Sequence, residues 1–231
     1  MISAVIFDMD GVIFDSERAC LAVWEENAKK YNMTDVEEVF NRCVGTTKVR
    51  TAEIIEDFYR EKHGPGISGL IMEDNSRLFH ERYDGGRLPL KPGAKEILEF
   101  LKKSPFRTGL ASSTRRDTII TELKEAGLLQ YFDEITGGDE AQNSKPAPDI
   151  YLAAAKKLGV EPNESFAIED SCNGIRSAHA AGMRAIMVPD MIPPDYEMRE
   201  LSEVILDSLF EVKKYISGRD APRLLAKRRR G

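Results

Sequence analysis

The sequence predicts a doubly wound α/β core, a Rossmann-like fold on a parallel sheet, with a small α-helical cap domain inserted after its first strand. Three observations support this prediction. Residues 2–7 form a short apolar run rich in β-branched side chains, which is typical of a strand buried on both faces. Residues 16–84 show helical periodicity and no convincing strand. After residue 93 strand and helix patterns alternate, which implies parallel strands with right-handed crossovers.

The first strand ends at Asp8, and the spacing of apolar residues then predicts a helix over about 17–31. Two further helices are indicated around residues 54–58 and 67–78, separated by the breaker at 63–66. We therefore assign 16–84 to a helical cap domain, and 1–15 together with 85–231 to the α/β core.

The core portion alternates between the two kinds of element. Strands are predicted at 107–111, 134–136, 165–168 and 185–188. Helices are predicted at 94–101, 115–126 and 148–158, with one more ending at Ala181–Gly182. A final helix is predicted from apolar residues at helical spacing: Leu201, Ile205, Leu209, Val212 and Ile216.

The composition excludes several classes of function. The 231 residues carry a net charge of −6, with 42% hydrophobic and 31% charged residues, which is ordinary for a soluble globular protein. This balance predicts no nucleic-acid partner. No segment approaches the length needed to span a bilayer, so we expect no membrane partner either. The three cysteines form neither a zinc knuckle nor a CxxC redox pair. We expect a cytoplasmic monomer whose basic run at 227–230 is a frayed, solvated tail.

Polar residues follow three of the buried strands at the point where each strand ends. They are Asp8 with Asp10, Ser112 with Ser113, and Glu169 with Asp170; Lys145 lies in a loop between the later elements. Because ligands bind outside the carboxyl ends of parallel strands, we expect all of these side chains at one edge of one sheet.

Four carboxylates at one edge would repel one another unless a cation lay among them. Hard oxygen ligands in that number favour Mg²⁺, which keeps several waters and binds phosphate oxygens. Phosphate is therefore the expected anion. Lys145 and the Ser112 hydroxyl would bind its remaining oxygens.

This set of residues predicts phosphoryl transfer. Asp8 can attack phosphorus to give an aspartyl phosphate. Asp10, two residues further on, can protonate the leaving oxygen and then take a proton from the incoming water or alcohol. Each cluster taken alone has a simpler explanation, namely a turn, a helix cap or a solvated lysine. Their joint position at strand ends favours the functional interpretation.

Four ordered segments resemble the motifs of the haloacid dehalogenase superfamily, and the resemblance covers the whole chain. They are FDMDGVIFDSE at 7–17, LASST at 110–114, KPAPDIY at 145–151 and IEDSCNGI at 168–175. The helical insertion directly after the first motif resembles the β-phosphoglucomutase-like branch.

The resemblance implies a role for each site residue. Asp8 would be the nucleophile and Asp10 the acid and base. Mg²⁺ would be bound by Asp8, the Asp10 backbone carbonyl and Asp170, with Glu169 assisting. The transferring phosphate would be held by Ser112 and Lys145, with Gly11 and Ser113 as further expected phosphate-binding positions. The second acid, Asp10, also distinguishes this chain from the true dehalogenases.

The expected substrate is a small phosphorylated metabolite, most simply a sugar phosphate that is hydrolysed. A β-phosphoglucomutase-type phosphomutase is the alternative, although the resemblance places Cys20 where those mutases have a histidine and Val44 where they have a lysine. In the cap, the resemblance indicates a substrate loop with Gly45, Thr46 and Lys48. A phosphorylated signalling receiver is a further alternative, but receivers lack a long helical insertion and an acid placed like Asp10.

Overall fold

The computed structural model describes residues 2–228, and the side chains as far as Gly218. The charged side chains of the basic run at 227–230 lie outside the described part. The chain divides into two compact units. The first comprises Met1–Phe14 and Leu90–Gly231, and the second comprises Asp15–Pro89, so Asp15 and residues 85–89 group with the helical unit. No helix in residues 2–228 combines the length and apolarity needed to cross a bilayer.

The first unit is built on a six-stranded sheet whose neighbouring strands all pair in parallel. The strands are β1 (Ala4–Phe7), β2 (Arg107–Ala111), β3 (Glu134–Thr136), β4 (Ser165–Glu169), β5 (Arg184–Met187) and β6 (Val204–Ile205). Their order across the sheet is β3-β2-β1-β4-β5-β6. Strand β1 therefore lies inside the sheet between β2 and β4, and all four of its residues are buried, as its apolar sequence predicts.

Six α-helices among the described residues of this unit lie between or after these strands along the chain. They are α5 (Ala94–Lys102), α6 (Arg116–Glu125), α7 (Asp149–Leu158), α8 (Cys172–Ala180), α9 (Tyr196–Leu201) and α10 (Leu209–Arg228). The apolar faces of α7 and α8 contribute Tyr151 and Ile175 to a core cluster that also contains Ile6 and Ala167 of the sheet. Burial of these side chains is the main stabilisation of the unit and fixes the helices against the strands.

The prediction of a doubly wound parallel core with a helical insertion is confirmed. The prediction of a single final helix is wrong. Leu201 ends α9, and Ile205 belongs to β6. The flanking backbone bonds to the sheet instead, because the Glu203 amide donates to the Ala185 carbonyl and Leu206 to Met187. Apolar residues four apart are compatible with one long helix and also with a short helix followed by a strand. Pairing with the edge of the sheet favours the second structure.

The second unit consists of four helices, α1 (Ser16–Tyr31), α2 (Val36–Cys43), α3 (Lys48–His63) and α4 (Ile67–Tyr83). Trp24 packs edge-on against Phe40, with ring centroids 5.3 Å apart. The buried Asn27 amide donates to Asn75 Oδ1 at 2.6 Å, which joins α1 to α4. Helix α2 is absent from the sequence prediction because its eight residues are too few for a clear periodic signal.

Candidate active site

The carboxyl ends of β1, β2 and β4 form the floor of a polar site. Phe7 pairs with Leu110 on one side and with Ile168 on the other, so the residues that follow emerge at the same level. The Asp8 amide donates to the Ile168 carbonyl at 2.9 Å, and the Ser112 amide donates to Thr136 at 3.1 Å. The chain direction of parallel strands therefore delivers Asp8, Ser112 and Glu169 to one edge, as the sequence predicts.

Lys145 links two of these strand ends. Its Nζ donates to Asp8 Oδ1 at 2.7 Å and to Glu169 Oε1 at 2.6 Å, with a longer contact to the Ala111 carbonyl at 3.3 Å. The lysine side chain is only 9% exposed. Such a buried cation is stable because two carboxylates satisfy it.

The loop that carries Lys145 is tied down at both ends. The Asn143 side chain donates to Asp149 Oδ1 at the start of α7, at 3.0 Å. The Ala147 carbonyl accepts a 2.6 Å hydrogen bond from Ser177 on α8. The lysine is thus held by two crossover helices.

Glu169 is fully buried, and both of its oxygens accept hydrogen bonds. Tyr151 donates to Oε1 at 2.7 Å, and Ser171 donates to Oε2 at 3.2 Å. A Cβ on Gly174 would lie 1.9 Å from the carboxyl carbon of Glu169, so no side chain fits at that position. The absence of a side chain at residue 174 is what allows helix α8 to begin directly against the carboxylate.

Three carboxylates lie close enough to share one cation. Oxygens of Asp8, Glu169 and Asp170 all lie within 4.8 Å of one another. Gly11 leaves the space that Asp170 occupies, because a Cβ there would come within 2.1 Å of Asp170 Oδ2, and its φ of +74° favours glycine. Clustered hard oxygen donors of this kind suit Mg²⁺, so these residues fit the ion expected from the sequence.

The Asp10 carboxylate has a different environment from these three. It is half-buried, and its Oδ2 accepts a hydrogen bond from the Thr114 hydroxyl at 3.2 Å. The Ser112 hydroxyl oxygen accepts from the Thr114 amide at 3.1 Å, so its own proton can be donated to a ligand. Ser113, between them, is exposed.

Burial raises the pKa of Asp8 to about 7 from an ordinary 3.8; Lys145 opposes this shift, and the charges of Glu169 and Asp10 add to it. Burial together with Glu169 and Asp8 also raises the pKa of Asp170 well above its ordinary value. Burial alone would lower the pKa of Lys145, but Asp8 and Glu169 raise it. The metal-free site thus holds more negative charge than its one lysine balances.

We expect the metal-free protein to lose stability as pH rises from about 4 to 7. In that window Asp8 is protonated in the folded protein and ionised in the unfolded chain. Unfolding therefore releases a proton, and rising pH favours the unfolded state. The three-unit shift corresponds to at most about 4 kcal/mol. Urea unfolding in EDTA at pH 5 and pH 8 measures the difference, and Mg²⁺ should restore stability mainly at pH 8. A flat profile in EDTA would contradict this expectation.

The remaining predicted site residues belong to the helical unit. Gly45, Thr46 and Lys48 are exposed and lie where α2 gives way to α3, and the Thr47 side chain caps α3 by accepting from the Arg50 amide. Sequence reasoning did not assign roles to Tyr151 or Thr114, although both lie inside motif segments. A buried ion pair between Lys91 and Asp190, 2.6 Å long, was also not foreseen.

Comparison with known proteins finds a family of hydrolases and, within the curated relatives, phosphatases. The family model of haloacid dehalogenase-like hydrolases matches residues 5–188. A phosphorylated carbohydrates phosphatase from Thermotoga maritima is 32% identical over 184 residues, covering 79% of this chain and 83% of that protein.

Two further relatives cover nearly the whole chain. Hexitol phosphatase B of Escherichia coli K12 is 31% identical, with 91% of this chain and 94% of that protein covered. The crystal structure of a β-phosphoglucomutase from Clostridium difficile superposes with a TM-score of 0.70 at 26% identity, covering 97% of this chain and 100% of that one.

Proposed function

The chain belongs to the haloacid dehalogenase-like hydrolase family and is a phosphoric monoester hydrolase, and from this premise we propose a Mg²⁺-dependent phosphatase of small phosphorylated carbohydrates that works through an aspartyl phosphate. Family membership favours an enzyme over the signalling receiver. The observation that carries the proposal is the joint placement of Asp8, Lys145 and the Asp170 carboxylate at one sheet edge.

In the first half of the proposed reaction, an Asp8 carboxylate oxygen forms a bond to phosphorus while the ester P–O bond breaks. The Asp10 carboxyl gives its proton to the departing oxygen, so the alcohol leaves neutral. Lys145 and the Ser112 hydroxyl bind the phosphoryl oxygens and balance their charge. The chain thereby splits one difficult displacement into two easier ones.

In the second half, Asp10 is a carboxylate and takes a proton from water as the water oxygen attacks phosphorus. The bond between phosphorus and Asp8 breaks, inorganic phosphate leaves, and Asp10 is protonated again. Asp8, Asp170, Glu169 and the Asp10 backbone carbonyl are the proposed holders of Mg²⁺. When bound there, the ion supplies positive charge that orients the phosphoryl group and offsets its repulsion by the carboxylates.

The helical unit Asp15–Pro89 is the proposed cap domain. Its loop with Gly45, Thr46 and Lys48 would contact the part of the substrate that does not react. An ammonium such as that of Lys48 suits a polar or anionic sugar substituent. The names of the two phosphatase relatives, one for phosphorylated carbohydrates and one for hexitol, support a carbohydrate substrate for this chain.

A phosphomutase is the second candidate, favoured by the similarity to the β-phosphoglucomutase structure. We expect incubation with β-glucose 1-phosphate and Mg²⁺, and separately with hexitol phosphates, to release inorganic phosphate. Phosphate is measured colorimetrically, and glucose 6-phosphate is measured by a coupled dehydrogenase. Formation of glucose 6-phosphate faster than phosphate would select the mutase instead.

A further inference from the structure

We propose that Thr114 is a positioning residue that holds the Asp10 carboxyl in the orientation needed to protonate the leaving oxygen. The inference rests on the proposed function, because it assigns a purpose to Thr114 only if Asp10 is the acid. Its basis is the hydrogen bond from Thr114 Oγ1 to Asp10 Oδ2 at 3.2 Å, which joins the segment after β2 to the segment after β1.

The backbone of Thr114 is fixed on both sides. Its amide donates to the Ser112 hydroxyl oxygen at 3.1 Å, and its carbonyl accepts from the Gly138 amide at 2.8 Å. A Cβ on Gly138 would lie 2.1 Å from the Ser113 carbonyl oxygen, so the two segments touch backbone to backbone. The hydroxyl that meets Asp10 is therefore presented by a rigid turn.

The start of α6, two residues after Thr114, is also held by the turn after β3. The Arg116 amide, at the start of α6, donates to Asp139 Oδ1 at 2.8 Å. A Cβ on Gly137 would lie 2.3 Å from that same Arg116 amide nitrogen. The turn after β3 thus supports the turn after β2 from outside the candidate site, and Thr114 is the point where this support reaches Asp10.

The orientation of the Asp10 carboxyl matters for its proposed role as an acid. A carboxyl that rotates freely spends part of its time pointing away from the leaving oxygen, and proton transfer requires hydrogen-bond geometry at the moment the P–O bond breaks. An acceptor bond to Oδ2 restricts that rotation. Thr114 would thus act through Asp10, on protonation of the leaving oxygen as the ester bond breaks.

The test exploits leaving groups that differ in their need for a proton. Phenyl phosphate and p-nitrophenyl phosphate have similar size, but nitrophenolate leaves readily as an anion. In a two-step reaction kcat/KM reports events through departure of the leaving group, and so isolates the acid role. We expect Thr114→Val to lower kcat/KM about 10-fold for phenyl phosphate and less than about 3-fold for p-nitrophenyl phosphate, a fraction of what general acid catalysis supplies.

Two variants complete the experiment. Thr114→Ser retains the hydroxyl and should restore the wild-type ratio between the two substrates. Thr121→Val makes the same change on the exposed face of α6, where the hydroxyl only donates to the Asp117 carbonyl, and should leave both values unaltered. Thermal unfolding checks that each variant is folded, and Thr114→Ala serves if the valine is not accommodated.

An equal fall with both substrates, or no fall with either, would overturn the role of Thr114. Failure of the proposed function looks different. In that case the wild type would hydrolyse neither ester in Mg²⁺, or Asp8→Asn would hydrolyse both as the wild type does.

Discussion

Replacing Asp8 by Asn should abolish phosphatase turnover, with kcat lowered at least about 10⁴-fold, as for loss of a nucleophile in other covalent mechanisms. An amide oxygen is a poor nucleophile toward phosphorus. In the described residues, Asp8 and Glu169 are the carboxylates that accept hydrogen bonds from Lys145 Nζ, so no third carboxylate is placed to replace Asp8. Phosphate release from a sugar phosphate, and labelling of the protein by phosphate, both measure the loss.

The same substitution should leave the fold intact. Burial raises the pKa of Asp8 to about 7, which means that its ionised form costs free energy in the metal-free protein, and an uncharged amide removes that cost. The melting temperature in EDTA at pH 8 should therefore not fall. Asp117→Asn, on the exposed first turn of α6, is the matched control and should retain full activity. Phosphate release by Asp8→Asn near the wild-type rate would rule out the proposed nucleophile.

Replacing Lys145 by Met should damage both activity and stability. The lysine is the cation on which Asp8 and Glu169 converge, at 2.7 Å and 2.6 Å. Removing one partner of a buried ion pair typically costs about 3–5 kcal/mol because the remaining charge is left without compensation. Loss of a donor to the phosphoryl oxygens should lower kcat about 10²–10³-fold in addition.

Urea unfolding in EDTA at pH 8, together with phosphate-release kinetics, measures both effects of Lys145→Met. The stability loss should shrink at pH 5, where Asp8 is protonated and needs a counter-charge less. Lys156→Met, on the exposed face of α7, provides the matched control. A variant as stable as the wild type at pH 8 would contradict the role of Lys145 as the balancing cation.

The arrangement of the core could be predicted because its signals are local. Runs such as 166–168 are wholly apolar and are followed at once by polar residues, so the direction of a parallel sheet places those polar residues together. The error at Leu201–Ile205 arose where local spacing was ambiguous and a two-residue edge strand depends on its neighbour β5. Boundaries decided by tertiary pairing cannot be found from periodicity.

The hydrogen-bond partners inside the site are a different matter. Tyr151 shares the apolar spacing of the α7 core face, and nothing in the sequence distinguishes it from an ordinary core tyrosine until its hydroxyl is seen 2.7 Å from Glu169. Lys91 and Asp190 are far apart in the chain, and only the packing of their two loops joins them. Such contacts depend on how helices and loops settle against the sheet, which sequence spacing does not encode.

Strand β1 pairs with parts of the chain that are distant in sequence, since its two partner strands begin at Arg107 and Ser165. The helical stretch Asp15–Pro89, by contrast, is continuous in sequence and can form its contacts by closing short loops. A growing or truncated chain can thus acquire ordered helices well before Asp8 has Ile168 to bond to. A chain that ends before Ser165 therefore lacks both Glu169 and the carbonyl that holds the Asp8 backbone.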